Sequence, residues 1–220
     1  MLLDALGTLL WLKPPAPRLR DELATRFRVE VSVEEAQAAI AAEIAYYRAH
    51  LNEGTDHGSL ARLRRRCADA LREALPASAQ AQLPEDAGLL DALLSSLQFE
   101  AFADARSALP RIREKGARLV VVSNWDVSLH DVLARVGLAG LLDGVLTSAE
   151  AGARKPDPAI FEQALELAGV RPGEAVHIGD TVEEDVVGAR SAGIEAVLLL
   201  RGGGAGPEGV RTIATLAELV

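Results

Sequence analysis

The spacing of apolar positions changes twice along the chain, and the changes divide it. Leu2-Leu3 is a short apolar run that ends in Asp4, and Gly7-Thr8 follows at once. That order predicts a strand whose carboxyl end hands Asp4 to a tight turn, the place where open α/β sheets bind ligands. Met1 stands only three residues before Asp4, which reads as a truncated or misassigned start. Trp11-Leu12-Lys13-Pro14-Pro15-Ala16-Pro17 predicts a linker out of the sheet, because proline continues neither a helix interior nor a central strand. From Arg18 to Gln98 the spacing turns helical: Leu19, Leu23 and Phe27; Ala36, Ile40, Ile44 and Tyr47; Leu60, Leu63, Cys67 and Leu71; then Leu89, Leu90, Leu93, Leu94 and Leu97. Breaks fall at Asn52 to Gly58 and at Pro76 to Pro84, so a bundle of about four helices is expected.

The second half alternates short β-rich runs with helices. A helix over Ala105 to Lys115 should end at Gly116, and Leu119 to Val122 should form a strand that delivers Ser123-Asn124 to its carboxyl end. A helix over Ser128 to Val136, a strand over Gly144 to Thr147, and a loop carrying Arg154-Lys155-Pro156-Asp157 follow, with Pro158 opening a helix to Ala168. Ala175 to Ile178 then leads into Gly179-Asp180, a helix covers Glu184 to Ala192, Ala196 to Leu200 is a strand, and a short helix ends the chain. Strands and helices alternating at these lengths predict an α/β fold, a three-layer parallel sheet with helices on both faces. Gly202 to Pro207 reads as a mobile surface loop.

Composition narrows the function classes. The chain has 220 residues, 49% of them apolar and 25% charged, and no apolar stretch as long as the ~18 residues a membrane span needs. The N-terminus lacks a basic region and its apolar start is broken by Asp4, so neither a signal peptide nor a membrane anchor is expected and a cytoplasmic location follows. A net charge of -9 argues against nucleic acid as a partner. Arg62, Arg64, Arg65 and Arg66 read as a solvated helix face, and the single cysteine, Cys67, as a half-buried structural thiol. Polar groups stand at or after the carboxyl ends of predicted strands: Asp4 with Thr8, Ser123 with Asn124, Lys155, and Asp180 with Asp185. Together they make a coherent set of nucleophile, hydroxyl donor, fixed cation and metal-ligand carboxylates.

The series Asp4-Ala5-Leu6-Gly7-Thr8-Leu9, Val122-Ser123-Asn124, Lys155-Pro156, and Gly179-Asp180 with Asp185 resembles the four motifs of the haloacid dehalogenase superfamily of hydrolases, in the family's order. The resemblance implies a Rossmann-like core over 1–13 and 99–220 with an inserted helical cap over 14–98. It implies that Asp4 attacks the substrate to give an aspartyl ester that water then hydrolyses. Mg²⁺ would sit between Asp4, the main-chain carbonyl of Leu6, and Asp180, while Asp185 would orient that shell or Lys155. Thr8, Ser123 and Asn124 would bind the transferred group of a small phosphorylated substrate, and Lys155 would neutralise charge.

Leu6 departs from the pattern. Phosphatases of this superfamily carry a second aspartate there, which protonates the leaving alkoxide and later activates water; leucine does neither. A 2-haloacid dehalogenase needs no such acid, but the family's dehalogenases dispense with the metal, have small polar residues where this chain has Asp180, and carry a tyrosine where it has Phe161. A phosphonate hydrolase needs a cap lysine, and the chain's lysines are Lys13, Lys115 and Lys155. The expected reaction is therefore magnesium-dependent phosphoester hydrolysis with an acid that is missing, weak or supplied from elsewhere. For that acid the cap loop Glu53 to Gly58 offers the titratable side chains of Asp56 and His57, and 2-haloacid dehalogenation stays as the alternative. A catalytically weak relative that binds a ligand or partner through the cap is the other class, with Arg62 to Arg66 and Tyr46-Tyr47 as the places to look.

Overall fold

The computed structural model describes residues 1–83 and 88–220; Pro84, the last residue of the second predicted break, lies outside them. The chain divides into two compact units, one of Met1–Trp11 with Glu100–Val220 and one of Leu12–Phe99. The first is built on a sheet of six strands, β1 (Leu2–Leu3), β4 (Val120–Ser123), β5 (Gly144–Thr147), β6 (Val176–Gly179), β7 (Glu195–Leu199) and β8 (Arg211–Ile213), in the order β5-β4-β1-β6-β7-β8. Every adjacent pair is parallel. The chain's β2 (Leu10–Leu12) and β3 (Phe99–Ala101) form a separate two-stranded ribbon.

β1 lies in the middle, with Leu2 opposite both Val120 and His177, and Leu3 opposite both Val121 and Ile178. Flanked on both edges and covered on both faces, Leu2, Leu3 and Val120 to Val122 are fully buried, which is why these strands are continuous apolar runs instead of alternating ones. On one face Leu2, Val120, Val122, Ile160, Phe161 and Leu198 pack as one core. Helices α6 (Ala103–Glu114), α7 (Leu129–Arg135), α8 (Ser148–Ala151), α9 (Pro158–Ala168) and α10 (Gly188–Ser191) connect the strands. All six strands point the same way, so one edge of the sheet collects their carboxyl ends.

Three segments differ from the sequence expectation. The proline stretch is no linker: Leu10–Leu12 pairs in the ribbon, and a helix over Pro15–Phe27 follows, where prolines in the first turn lack only N–H groups that have no helical partner. The helix expected over Glu184 to Ala192 is wound wide over Val182–Val187 and becomes α10 only at Gly188; both Asp185 N and Val186 N reach Thr181 O. At the C-terminus a strand, β8, precedes a single 3₁₀ turn over Leu216–Leu219. Gly206 of the glycine-rich loop packs against it so closely that a Cβ would meet Thr212 Oγ1 at 2.2 Å.

The second unit holds α1 (Pro15–Phe27), α2 (Val33–His50), α3 (His57–Ala74), α4 (Ala77–Gln80) and α5 (Gly88–Ser96). Ser32 with Glu35, and Asp56 with Ser59, close capping boxes at the starts of α2 and α3. Leu19, Leu23, Ile40, Leu63, Leu71 and Leu93 share one core. Cys67 is buried, 3% exposed, where half-burial was expected, and beside it lies the carboxyl of Glu43, 4% exposed. Burial pushes the Glu43 carboxyl up to about 7, with only a thiol hydrogen bond from Cys67 opposing it. No helix among the described residues is long and apolar enough to cross a membrane.

Because the folded-state value of Glu43 is raised, its ionisation destabilises the unit as pH climbs from the ordinary carboxylate range through about 7. Glu43→Gln should therefore stabilise the protein by about 2 kcal/mol at pH 8 and by little at pH 5. Thermal unfolding at the two pH values measures this, and an equal effect at both would contradict it.

Candidate active site

The groups predicted at strand ends meet at the carboxyl edge of the sheet. Asp4 follows β1 directly, its N–H still bonded to Ile178 O at 2.9 Å, and its carboxylate is 6% exposed. Ser123 ends the neighbouring strand and its Oγ donates to Asp4 Oδ1 at 3.0 Å. Lys155 comes from the loop before α9, and its ammonium is 2.6 Å from the same Asp4 Oδ1 and 2.5 Å from Asp185 Oδ1. Both bonds to Asp4 fall on Oδ1, and Oδ2 takes no part in them.

Lys155 is among the most buried side chains in the protein, 2% exposed. An ammonium survives there only because two carboxylates receive it, and against the cost of burial Asp4 and Asp185 raise its pKa above the ordinary lysine value. Its backbone is fixed too: Lys155 N donates to Asn124 Oδ1 at 2.8 Å, and Asn124 Nδ2 donates to Lys155 O at 3.0 Å. Asn124, expected to bind the transferred group, thus uses both ends of its amide to hold the lysine.

Asp185 is the second anchor. Oδ1 accepts from Lys155 and from His177 Nε2 at 2.8 Å, and Oδ2 accepts from Thr181 N at 3.0 Å. Burial opposes its ionisation, but Lys155 and His177 prevail and hold the carboxyl well below the usual range. Through Oδ1 Asp185 thus meets the ammonium of Lys155 directly. Gly179 makes room for it, since a Cβ there would stand 2.0 Å from Asp185 Cγ. His177 was not singled out from the sequence. It is wholly buried in β6, meets Phe161 edge-on at 5.1 Å, and bonds Asp185 through Nε2, so the chain His177, Asp185, Lys155, Asp4 is continuous. The available signal was a titratable side chain inside the apolar run Val176-His177-Ile178.

Asp180 is partly exposed and contacts Thr181 Oγ1 at 3.3 Å. Gly7, at φ +84°, lets the turn after Asp4 lie against it; a Cβ there would be 2.0 Å from Asp180 Oδ2. Burial and the nearby Asp185 raise the Asp180 carboxyl, and burial raises Asp4 to about 6 despite Lys155. Carboxylate oxygens of Asp4, Asp180 and Asp185 all lie within 4.8 Å of one another. Three carboxylates against the one ammonium of Lys155 leave an excess of negative charge, and the hard oxygen donors suit a divalent cation. Asp4, Asp180 and Asp185 could thus hold a metal ion between them.

Thr8, also expected to bind the transferred group, has a fully buried hydroxyl without a hydrogen-bond partner among the described residues. The side chain of Leu6 is 40% exposed, as is that of Val182 at 39%. In the helical unit, Asp56 caps a helix: Ser59 N donates to Oδ1 at 2.8 Å, and its bonds to Ser59 hold the carboxyl below the ordinary value. His57 is the exposed first residue of α3.

Removing the ammonium leaves two buried carboxylates facing each other. Lys155→Met should destabilise the protein by about 3–5 kcal/mol at pH 8. The loss should shrink at pH 5, where the unpaired carboxyls protonate; urea unfolding at both values is the measurement, and a pH-independent loss would contradict the electrostatic account.

The haloacid dehalogenase-like hydrolase family matches residues 1–193. Haloacid dehalogenase-like hydrolase domain-containing protein 3 from Bos taurus is 42% identical over 130 residues, 59% of this chain and 50% of that protein. Glyceraldehyde 3-phosphate phosphatase from Methanothermobacter thermautotrophicus is 38% identical over 99 residues, 44% of each chain. The matched stretch thus spans about half the length of these relatives. Among solved structures, a HAD phosphatase from Thermococcus onnurineus superposes with TM-score 0.67 at 28% identity, covering 99% of this chain and 94% of the other. A 2-haloacid dehalogenase from Pseudomonas syringae pv. Tomato superposes with TM-score 0.68 at 27% identity, over the same shares. With every group of the buried cluster inside the matched span, the chain belongs to the haloacid dehalogenase-like hydrolases.

Proposed function

We propose that the protein is a magnesium-dependent phosphatase of small phosphorylated metabolites, working through an aspartyl phosphate on Asp4. The observation that carries the reading is the pairing of a nucleophile, Asp4, held by Lys155 and Ser123, with a second carboxylate, Asp180, close enough to share a cation. An anionic nucleophile meets an anionic phosphoryl group only where positive charge cancels the repulsion. Asp4 and Asp180 would hold Mg²⁺, which would supply that charge. Asp4 attacks phosphorus; the bond to the leaving oxygen breaks and takes its electron pair, and water then cleaves the aspartyl phosphate to phosphate and free Asp4. The relative named a glyceraldehyde 3-phosphate phosphatase supports phosphoryl over halide chemistry.

Leu6, two residues after Asp4, offers the leaving group no proton, Lys155 is a poor acid with its pKa raised, and Asp185 is held ionised. Aryl phosphates, whose leaving groups are stable as anions, should turn over about 10² times or more faster than alkyl phosphates. Leu6→Asp should raise alkyl turnover selectively. The experiment pairs phosphate release from p-nitrophenyl phosphate, with and without Mg²⁺, against halide release from a 2-halo acid. Mg²⁺-dependent phosphate release is expected; metal-independent halide release without phosphatase activity would overturn the reading.

Protonation of Asp4 removes both the nucleophile and a metal ligand. Since its carboxyl is raised to about 6, Mg²⁺ affinity measured calorimetrically should hold above that pH and weaken as pH falls through it. Affinity unchanged down to pH 5 would show that Asp4 does not bind the ion.

A further inference from the structure

The turn after Asp4 is held by a residue from the other end of the chain. Inside the turn three N–H groups are bonded within it: Gly7 N to Leu10 O, and Leu9 N and Leu10 N to Ala5 O, each at 2.8 Å. The carbonyls of Gly7 and Thr8 are received by one guanidinium. Arg201 Nε donates to Gly7 O at 3.1 Å and a terminal nitrogen donates to Thr8 O at 2.6 Å. The other terminal nitrogen lies 2.9 and 3.0 Å from the two oxygens of Asp104, and the guanidinium carbon stands 3.6 Å above the ring centroid of Phe102. Asp104 is anchored in turn by Thr215 Oγ1 and Leu216 N, both at 2.8 Å.

A planar fork of donors suits this arrangement, because two carbonyls and a carboxylate are met at once in fixed geometry. Next along the turn, Phe102 N donates to Leu9 O at 3.0 Å. A cavity of about 410 Å³ opens there, lined by Gly7, Phe102, Asp180, Arg201 and Gly202 among others. The turn and Asp180 are also in contact, since no Cβ fits between Gly7 and Asp180 Oδ2. A displaced turn therefore shifts Asp4 on one side and Asp180 on the other.

We propose that Arg201 is a positioning residue for the reaction: it touches no reacting atom, and it fixes the Gly7-Thr8 turn so that Asp4 and Asp180 keep their attack geometry. The effect on rate rests on the hydrolase reading, with Asp4 as nucleophile; the clamp itself does not.

Two readouts separate these. Amide hydrogen exchange over residues 5–10 tests the clamp without any substrate, and Arg201→Ala should accelerate it about tenfold or more. Turnover of p-nitrophenyl phosphate tests the consequence. A misplacement of the order of 1 Å costs up to ~10²-fold in rate, so Arg201→Ala should lower kcat about 10- to 100-fold with KM within about twofold. Millimolar guanidinium should fill the enlarged cavity and restore part of kcat, whereas Arg201→Lys, a single point charge, should recover little. Arg113→Ala, which breaks an ion pair with Asp143 before β5 and touches neither Arg201 nor Asp104, should lower the melting temperature and leave kcat near wild type. Unchanged exchange over 5–10 in Arg201→Ala would overturn the clamp. Faster exchange with unaltered kcat, a kcat loss matched by Arg113→Ala at equal melting temperature, or no response to guanidinium would overturn its role in the reaction. Wild-type protein that releases no phosphate would count against the phosphatase reading, and halide release would then supply the kcat readout, because Asp4 is the nucleophile in either chemistry.

Discussion

Lys155 is the constraint from which the site follows. A buried ammonium needs partners that can be neither water nor backbone alone, and here two carboxylates, one just after β1 and one in the wide turn after β6, converge on it. Breaking such a group apart is far more damaging than replacing all of it, because the survivors keep their charge without compensation. The arrangement therefore ties β1, the loop before α9, and the wide turn after β6 into one electrostatic unit. Asn124 holds the lysine's backbone, His177 holds the far carboxylate, and Ser123 holds the near one. Asp4 is left with one oxygen engaged and the other outside these bonds, which is what a nucleophile requires.

That demand explains local features that otherwise look irregular. The segment Val182–Val187 is wound wide, and within it Asp185 turns back to Lys155 and Thr181 N. Gly179 lacks a side chain because Asp185 occupies the space, and Gly7 lacks one because Asp180 does. Each glycine marks a carboxylate whose position could not otherwise be reached. Arg201 extends the same logic to the turn after Asp4, where it receives the carbonyls of Gly7 and Thr8.

Much of this was legible in the sequence, and the reason is physical. Parallel strands buried on both faces are continuous apolar runs, so the residues that interrupt them at their carboxyl ends, Asp4, Ser123 and Asp180, stand out. Lys155 was legible as a candidate from its motif, but not its burial, because no local pattern reports that two distant carboxylates will enclose a side chain. His177 and Arg201 escaped for the same reason: their partners lie 8 and 194 residues away, and only the folded sheet brings them together. The prolines at 15 and 17 misled, since helix-breaking residues become helix-compatible in a first turn. β8 escaped because three residues at a sheet edge carry too little periodicity to register. Leu6 was legible as an anomaly, and the structure sharpens it into an exposed apolar side chain where the family's phosphatases carry an acid.

The central claim is that Asp4 carries the transferred group. With no acid or base at Leu6 to activate water, the covalent intermediate should persist long enough to trap. Borohydride reduction of acid-quenched enzyme during turnover of a phosphoryl substrate, followed by peptide mass spectrometry, tests this directly. The account predicts that Asp4 is converted to homoserine, and that Asp4→Asn shows neither conversion nor turnover. Steady phosphate release with Asp4 unmodified, or a trapped adduct at another residue, would contradict it.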